Sequence, residues 1–267
     1  MENLITELEN EILSKSKFIG KKIPNVSLDE IDTFLMLLKK VLFPGVFYRL
    51  ENTDVKMFLQ DTIKELNHQL KSILLSFESE NEDNISNTFL NSLPNLKQVL
   101  MDDINAIYNG DPAAESHEEV VLAYPSFEAI MIYRIAHELT QLNLNLFARM
   151  CSSIAHRKTG IDIHPKAQIG RSFCIDHGTA IVIGESAIIG QNVKLYQGVT
   201  IGALSVSKAQ KNKKRHPTIE DNVTIYARTT ILGGGTVIGK NSVIGGNVWL
   251  TSSVPQNSKI YNQEAST

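Results

Sequence analysis

Between Leu28 and Ile154 the apolar residues recur at intervals of three and four, and between Ile161 and Val254 they recur at intervals of six. In the first part, Leu28, Ile31, Leu35, Leu38 and Leu42 form a stripe that ends at Pro44-Gly45, and Val55, Leu59, Thr62, Leu66, Leu70, Ile73 and Phe77 form a longer one. A third stripe, Leu96, Val99, Leu100, Asp103, Ile104 and Ile107, stops at the turn signal Asn109-Gly110-Asp111-Pro112. A fourth follows Pro125-Ser126, with Phe127, Ile130, Met131, Ile135 and Leu139 leading through Leu146 and Met150 toward Ile154. Such spacing lines one side of a helix, so the pattern predicts a bundle whose stripes are core or subunit contacts.

The second part has a different period. Ile163, Ile169, Ile175 and Ile181 are six apart, and a second frame takes over with Ile183, Ile189, Leu195 and Ile201. After a polar, basic interruption the repeat resumes at Ile219, Ile225 and Ile231, slips one residue at Gly233-Gly234-Gly235, and continues with Ile238 and Ile244. A repeat of this kind predicts a hexapeptide β-helix, in which short strands stack as coils and each aliphatic side chain enters the interior. Gly170, Gly184, Gly190, Gly202, Gly239 and Gly245 are expected at corners, where a Cβ would crowd the turning backbone.

Composition places the boundary. Residues 1–158 contain only Gly20, Gly45 and Gly110 of the sixteen glycines. We therefore expect an α+β chain: a helical domain over 1–158, then a β-helix over 159–267 with an inserted loop at 203–217 and a short polar tail. The net charge of −3 mixes both signs and suggests neither a nucleic-acid nor a membrane-surface partner. Cys151 and Cys174 are too few for a disulfide scaffold and have no metal-like spacing. The N-terminus lacks a signal-peptide layout and no apolar run reaches the length of a membrane span, so a cytoplasmic location is expected.

Candidate chemistry gathers in or beside the repeat, at Asp162 and His164, Asp176 and His177, and Arg215 and His216. An imidazole is the natural group to take a proton from a hydroxyl at neutral pH. Asp162 precedes His177 by fifteen residues, close to one coil of eighteen, so its carboxylate is a candidate to orient that imidazole from an adjacent coil. Arg215 adjoins His216-Pro217 where the loop re-enters the coil, and a guanidinium can grip a carboxylate through two parallel hydrogen bonds. Lys208 and Lys211 are expected to be solvated.

The segments Asp162-Ile163-His164-Pro165, Ile175-Asp176-His177-Gly178-Thr179, Ile181-Val182-Ile183-Gly184-Glu185 and Lys214-Arg215-His216-Pro217 together closely resemble the serine acetyltransferases. Asp111-Pro112-Ala113-Ala114 and Tyr133-Arg134-Ile135-Ala136-His137 extend the match, which covers roughly residues 105 to 258. The resemblance implies a left-handed parallel β-helix, trimers with active sites in the clefts between subunits, and transfer of acetyl from acetyl-CoA to L-serine. His177 would be the general base and Asp162 its orienting partner, with direct attack through a tetrahedral oxyanion held by backbone N–H groups. Asp111 and Asp176 would face the substrate ammonium, Arg215 and His216 its carboxylate and hydroxyl end. Gly202, Ala203, Ala227 and Gly246 would line the groove for acetyl-CoA, the co-substrate. Apart from the resemblance, the positive charge of Lys208 to Lys214 is a candidate to attract the CoA phosphates. No metal is implied, and L-cysteine is expected as a feedback inhibitor at the serine site.

Departures from the family pattern are Ala203 and Tyr226, where glycine is common, and the longer basic loop. The tail from Tyr261 to Thr267 lacks the terminal isoleucine with which many family members enter O-acetylserine sulfhydrylase, so stable assembly with that enzyme is not expected. The helical domain is long enough to join two trimers into a hexamer. Two other enzymatic readings use the same coil: transfer to another hydroxyl acceptor, such as a sugar or homoserine, and a γ-carbonic-anhydrase-like metal site built from His164, His177 and His216. An oligomeric scaffold without turnover is the reading outside enzymology.

Overall fold

The computed structural model describes residues 1–15, 24–48, 50, 54–205 and 213–262. Lys208, Lys211 and the tail beyond Asn262 lie outside these residues. Among the described residues seven helices come first: α1 (Glu2–Lys15), α2 (Leu28–Leu42), α3 (Val55–Ser76), α4 (Glu82–Gly110), α5 (His117–Ala123), α6 (Pro125–Gln141) and α7 (Asn145–Thr159). No helix among the described residues is long and apolar enough to cross a membrane.

Local chemistry starts the helices where the stripes begin. Ser27 and Glu30 form a reciprocal capping box at the head of α2, and Asp54 accepts the Lys56 backbone N–H at the head of α3. The expected run from Phe127 to Ile154 is two helices. The chain breaks at Leu142 to Leu144, where Asn143 adopts a left-handed φ of 62°, and Leu146 turns to solvent while Phe147, Cys151 and Ile154 bury. Helix α4 is longer than its stripe and carries Pro94 in its interior, flanked by the buried Leu93 and Leu96.

The β part is a parallel solenoid of three sheets, visited in turn. Sheet I holds β1 (Asp162–Ile163), β4 (Val182–Ile183), β7 (Thr200–Gly202), β10 (Thr230–Leu232) and β13 (Trp249–Leu250). Sheet II holds β2 (Gln168–Ile169), β5 (Ile188–Ile189), β8 (Thr218–Ile219) and β11 (Val237–Ile238). Sheet III holds β3 (Cys174–Asp176), β6 (Lys194–Tyr196), β9 (Thr224–Ile225), β12 (Val243–Ile244) and β14 (Lys259–Ile260). The aliphatic residues of the repeat are in register between coils, as in Ile163 with Ile183 and Ile183 with Ile201, and they are buried.

Two kinds of corner residue support the stack. At the corner between sheets II and III, Asn192, Asn222, Asn241 and Asn257 all take left-handed φ values, and their side-chain amides bond in a ladder at 2.8, 3.1 and 3.0 Å. Asparagine tolerates that backbone, so these residues do the turning. The glycine after an inward isoleucine serves a different purpose from the one expected: a Cβ on Gly170 would stand 2.7 Å from the Gly190 backbone, so it is the neighbouring coil that excludes it.

Helices and coil are clamped together and their buried residues form one cluster. Arg134 binds Asp103 through Nε at 2.9 Å and Nη2 at 3.0 Å, and its guanidinium also donates to the carbonyls of Ile169 and Gly170. Asp103 in turn accepts the Phe173 backbone N–H at 2.9 Å, Tyr133 donates to the Ala167 carbonyl, and His137 Nδ1 donates to Pro165. The Tyr133 to His137 segment is thus the joint between the halves.

Candidate active site

The corner between sheets III and I carries His177, and it is larger than its neighbours. Asp176 pairs with Tyr196 and Val182 with Thr200, so six residue steps on the first coil match four on the second. The extra length is at His177-Gly178, where φ is 58° and 94°. This bulge pushes the imidazole out, leaving its side chain 75% exposed with Asp176 Oδ1 at 3.7 Å. The same left-handed φ is taken by Ala180 in this corner and by Arg228 two coils on, so it is a turning conformation of the solenoid.

Helix α4 delivers Asp111 to the same place. Asp111 Oδ2 accepts from the Tyr124 hydroxyl at 2.7 Å and Oδ1 from the Ala113 N–H at 2.9 Å, and these bonds hold its carboxyl below the usual range, aided by Lys194 and His177. The partner effect pushes the Tyr124 hydroxyl up to about 12. Lys194, on β6, lies 2.8 Å from Asp176 Oδ2 and donates to the Gly110 carbonyl at 2.6 Å. Burial alone would lower its ammonium, but the contacts with Asp176 and Tyr196 outweigh it and hold it above its ordinary range. Neither Tyr124 nor Lys194 was foreseen from the sequence.

Asp162 heads β1, facing outward from sheet I, and its strand abuts the His177 loop through bonds from Asp162 N to Ile181 O and from Ala180 N to Gly160 O, both 2.9 Å. Among the described residues no hydrogen bond or ion pair joins its carboxylate to His177. The first coil measures twenty residues from Asp162 to Val182 rather than eighteen.

Arg215 and His216 occupy the next corner, between sheets I and II. Arg215 pairs with Glu185, whose carboxyl burial would raise but which Arg215 and the neighbouring His164 hold below its usual range. His216 is buried, and its Nδ1 accepts the Ser186 N–H at 3.1 Å, which leaves the proton of the neutral ring on Nε2. Burial, then Arg215, bring its pKa down to about 4, and burial with Arg149 does the same for His164. Lys214 braces this corner by donating to the carbonyls of Ser186, His216 and Pro217. His164 lies one coil below, its Nδ1 accepting the Lys166 N–H at 3.1 Å.

The residues expected at the acetyl-CoA groove divide between the same two corners. Ala227 and Gly246 stack on the His177 side, where a Cβ on Gly246 would lie 3.2 Å from the Ala227 carbonyl. Gly202 ends β7 and Ala203 follows it, on the Arg215 side. Beside them Leu204, Lys213, Arg215, Gly233, Gly234 and Ser253 are among the residues lining a cavity of about 550 Å³.

The parallel solenoid thus presents a solvent-facing histidine beside two acids at one corner and a guanidinium at the next. No protein-family model matches the chain. It is 42% identical over 261 residues to the plasmid serine acetyltransferase of Synechococcus elongatus, covering 89% of this chain and 82% of that protein. The serine acetyltransferase isoform 3 of Entamoeba histolytica, solved in complex with cysteine, superposes with a TM-score of 0.79 at 31% identity, covering 100% of this chain and 95% of that one. That of Neisseria gonorrhoeae, solved in complex with serine, gives 0.62 at 25% identity, covering 100% and 94%. The chain belongs to the serine acetyltransferase family, whose members are acyltransferases.

Proposed function

We propose that this chain transfers the acetyl group of acetyl-CoA to the hydroxyl of L-serine, giving O-acetyl-L-serine for cysteine synthesis and free CoA thiol, at sites assembled between copies of the chain. The observation that carries this reading is the division of the site. Groups suited to an ammonium, Asp111 and Asp176, share a corner with His177, whereas the group suited to a carboxylate, Arg215, sits with His216 at the next. Along sheet I these corners are separated by about four residues, on the order of 13 Å at the rise of a strand. One amino acid cannot bridge that span within a chain, but it can where the first corner of one copy meets the second corner of another. A trimer of coils supplies three such meetings, and the helical domains are available to pair two trimers.

In this reading His177 takes the serine hydroxyl proton as the oxygen attacks the thioester carbon. Asp162 orients the imidazole and balances the imidazolium. Backbone N–H groups of the corner hold the tetrahedral oxyanion, which collapses by expelling the CoA thiolate, and the thiolate takes the proton from His177. No acetyl-enzyme forms. Gly202 and Ala203 on one copy and Ala227 and Gly246 on the other flank the pantetheine arm. L-Cysteine, with the same ammonium and carboxylate, competes for the serine site.

The test is CoA thiol release from acetyl-CoA with L-serine, with L-homoserine and a sugar acceptor run beside it, for the parent and for His177→Ala. Release with serine that collapses in the variant is the expected result. Release with another acceptor alone would overturn the substrate, and none with any acceptor would overturn the reaction.

A further inference from the structure

Lys194 ties Asp176 to the backbone just before Asp111, the two acids that the proposed function assigns to the substrate ammonium. Its Nζ is 2.8 Å from Asp176 Oδ2 and 2.6 Å from the carbonyl of Gly110, the residue before Asp111. Asp176 is fixed to the coil and Asp111 to the end of α4, so this cation, like Arg134, spans the junction between the halves. The side chain is only 18% exposed. Its ammonium lies 4.6 Å over the Tyr196 ring, and Tyr196 stacks on Tyr226 with centroids 4.8 Å apart and planes 14° apart. On the other side it lies against Gly110, where an added Cβ would be in ordinary contact with Nζ at 3.7 Å. The ammonium is therefore held in one place, as a tether must be.

Charge accounts for the choice of residue. Asp111 and Asp176 alone would bring two negative charges to one small site, and like charges so placed resist being ionised together. With Lys194 present the set carries one net negative charge, matching one α-ammonium. Lys194 occupies Oδ2 of Asp176 and leaves Oδ1, the oxygen nearest His177, to accept from a ligand.

We infer that Lys194 is a positioning residue for the acceptor's amino group, fixing Asp111 and Asp176 relative to each other across the helix–coil junction and trimming their joint charge to that of a single-ammonium site. This rests on the proposed reaction. It is tested by steady-state kinetics of the parent, Lys194→Met, Lys194→Gln and Lys194→Arg, each checked by thermal melting. In Lys194→Met the serine KM should rise about tenfold, equivalent to ~1.4 kcal/mol, while kcat and the acetyl-CoA KM change far less. Lys194→Gln, which keeps a donor but not the charge, should fall between, and Lys194→Arg should restore most of the serine KM. An unchanged serine KM in folded Lys194→Met, a fall confined to kcat, or an equal rise in the acetyl-CoA KM would overturn it. If the Met and Gln variants fail to fold, the Arg variant decides: a serine KM near the parent's supports the tether, and loss of folding there too makes the role purely structural and overturns it. A parent that releases no CoA with serine would instead fail the reaction itself, which separates the two results.

Discussion

Gly184 lies against the imidazole of His216: a Cβ on Gly184 would stand 2.0 Å from Cδ2 and 2.1 Å from Nε2. The contact joins consecutive coils at the Arg215 corner, and it makes the absence of a side chain at 184 a condition for the position of the ring. Gly184→Ala must displace His216, and with it the Ser186 hydroxyl that accepts the N–H groups of both Arg215 and His216. A displacement near 1 Å in a positioning group costs up to about 100-fold in rate. We expect kcat/KM for serine to fall about 10- to 100-fold, with the protein still folded and the acetyl-CoA KM little changed, as initial rates with each substrate varied will show.

The Arg134–Asp103 pair should be the most sensitive point of the helix–coil joint. Asp103 is fully buried, and burial acts to raise its carboxyl while Arg134 and the Phe173 N–H counter it. Removing the guanidinium strands a buried acid and two coil carbonyls. Such losses typically cost about 3–5 kcal/mol. Arg134→Met is expected to lower stability by that order in denaturant unfolding, and Asp103→Asn combined with it should recover part of the loss, because no charge is then left unpaired.

Acid should weaken the Arg215 corner before the rest of the fold. His216 and His164 both have folded pKa values near 4, against an ordinary value of 6.5. Between pH 6.5 and 4 the unfolded chain therefore binds more protons than the folded one, so stability is fully present above 6.5 and is lost as pH falls toward 4. For the buried His216 the loss is up to about 3 kcal/mol. Melting temperature measured across this range should decline, and His216→Gln should decline less steeply than the parent.

The inward faces of the coil were legible because a six-residue period is a local property: Ile163, Ile183 and Ile219 need no knowledge of the rest of the chain. Even the His177 bulge left a trace, since the frame moves from Ile181 to Ile183, a shift of two that matches the two extra residues of that corner. The asparagine ladder left a weaker one, because its spacings of 30, 19 and 16 residues are unequal. What could not be read were the contacts across the joint. Lys194 is 84 residues from Gly110, and on the sequence it is merely a polar residue on a strand. Tyr124 precedes a helix-starting proline and gave no sign that it would cap an acid. The expected Asp162–His177 contact rested on a coil of eighteen residues, and the bulge that exposes His177 is the same feature that lengthens this coil to twenty.

The basic loop divides into two roles that substitution can separate. Lys208 to Lys214 were expected to attract the CoA phosphates as a group, yet Lys214 spends its ammonium on three carbonyls of its own corner, at 2.8, 2.5 and 3.0 Å. It has no donor to spare for a phosphate and instead holds the backbone that carries Arg215 and His216. Lys213 is exposed and lines the cavity beside Gly233 and Gly234, where a phosphate attracted by charge would feel it and salt would screen it. Lys213→Ala should therefore raise the acetyl-CoA KM, with an effect that shrinks as ionic strength rises, and leave the serine KM alone. Lys214→Met should do the reverse, raising the serine KM at every salt concentration. Kinetics with both substrates varied at low and high salt will separate the two, and a salt-sensitive acetyl-CoA effect in Lys214→Met would mean that its ammonium leaves the corner to meet the ligand.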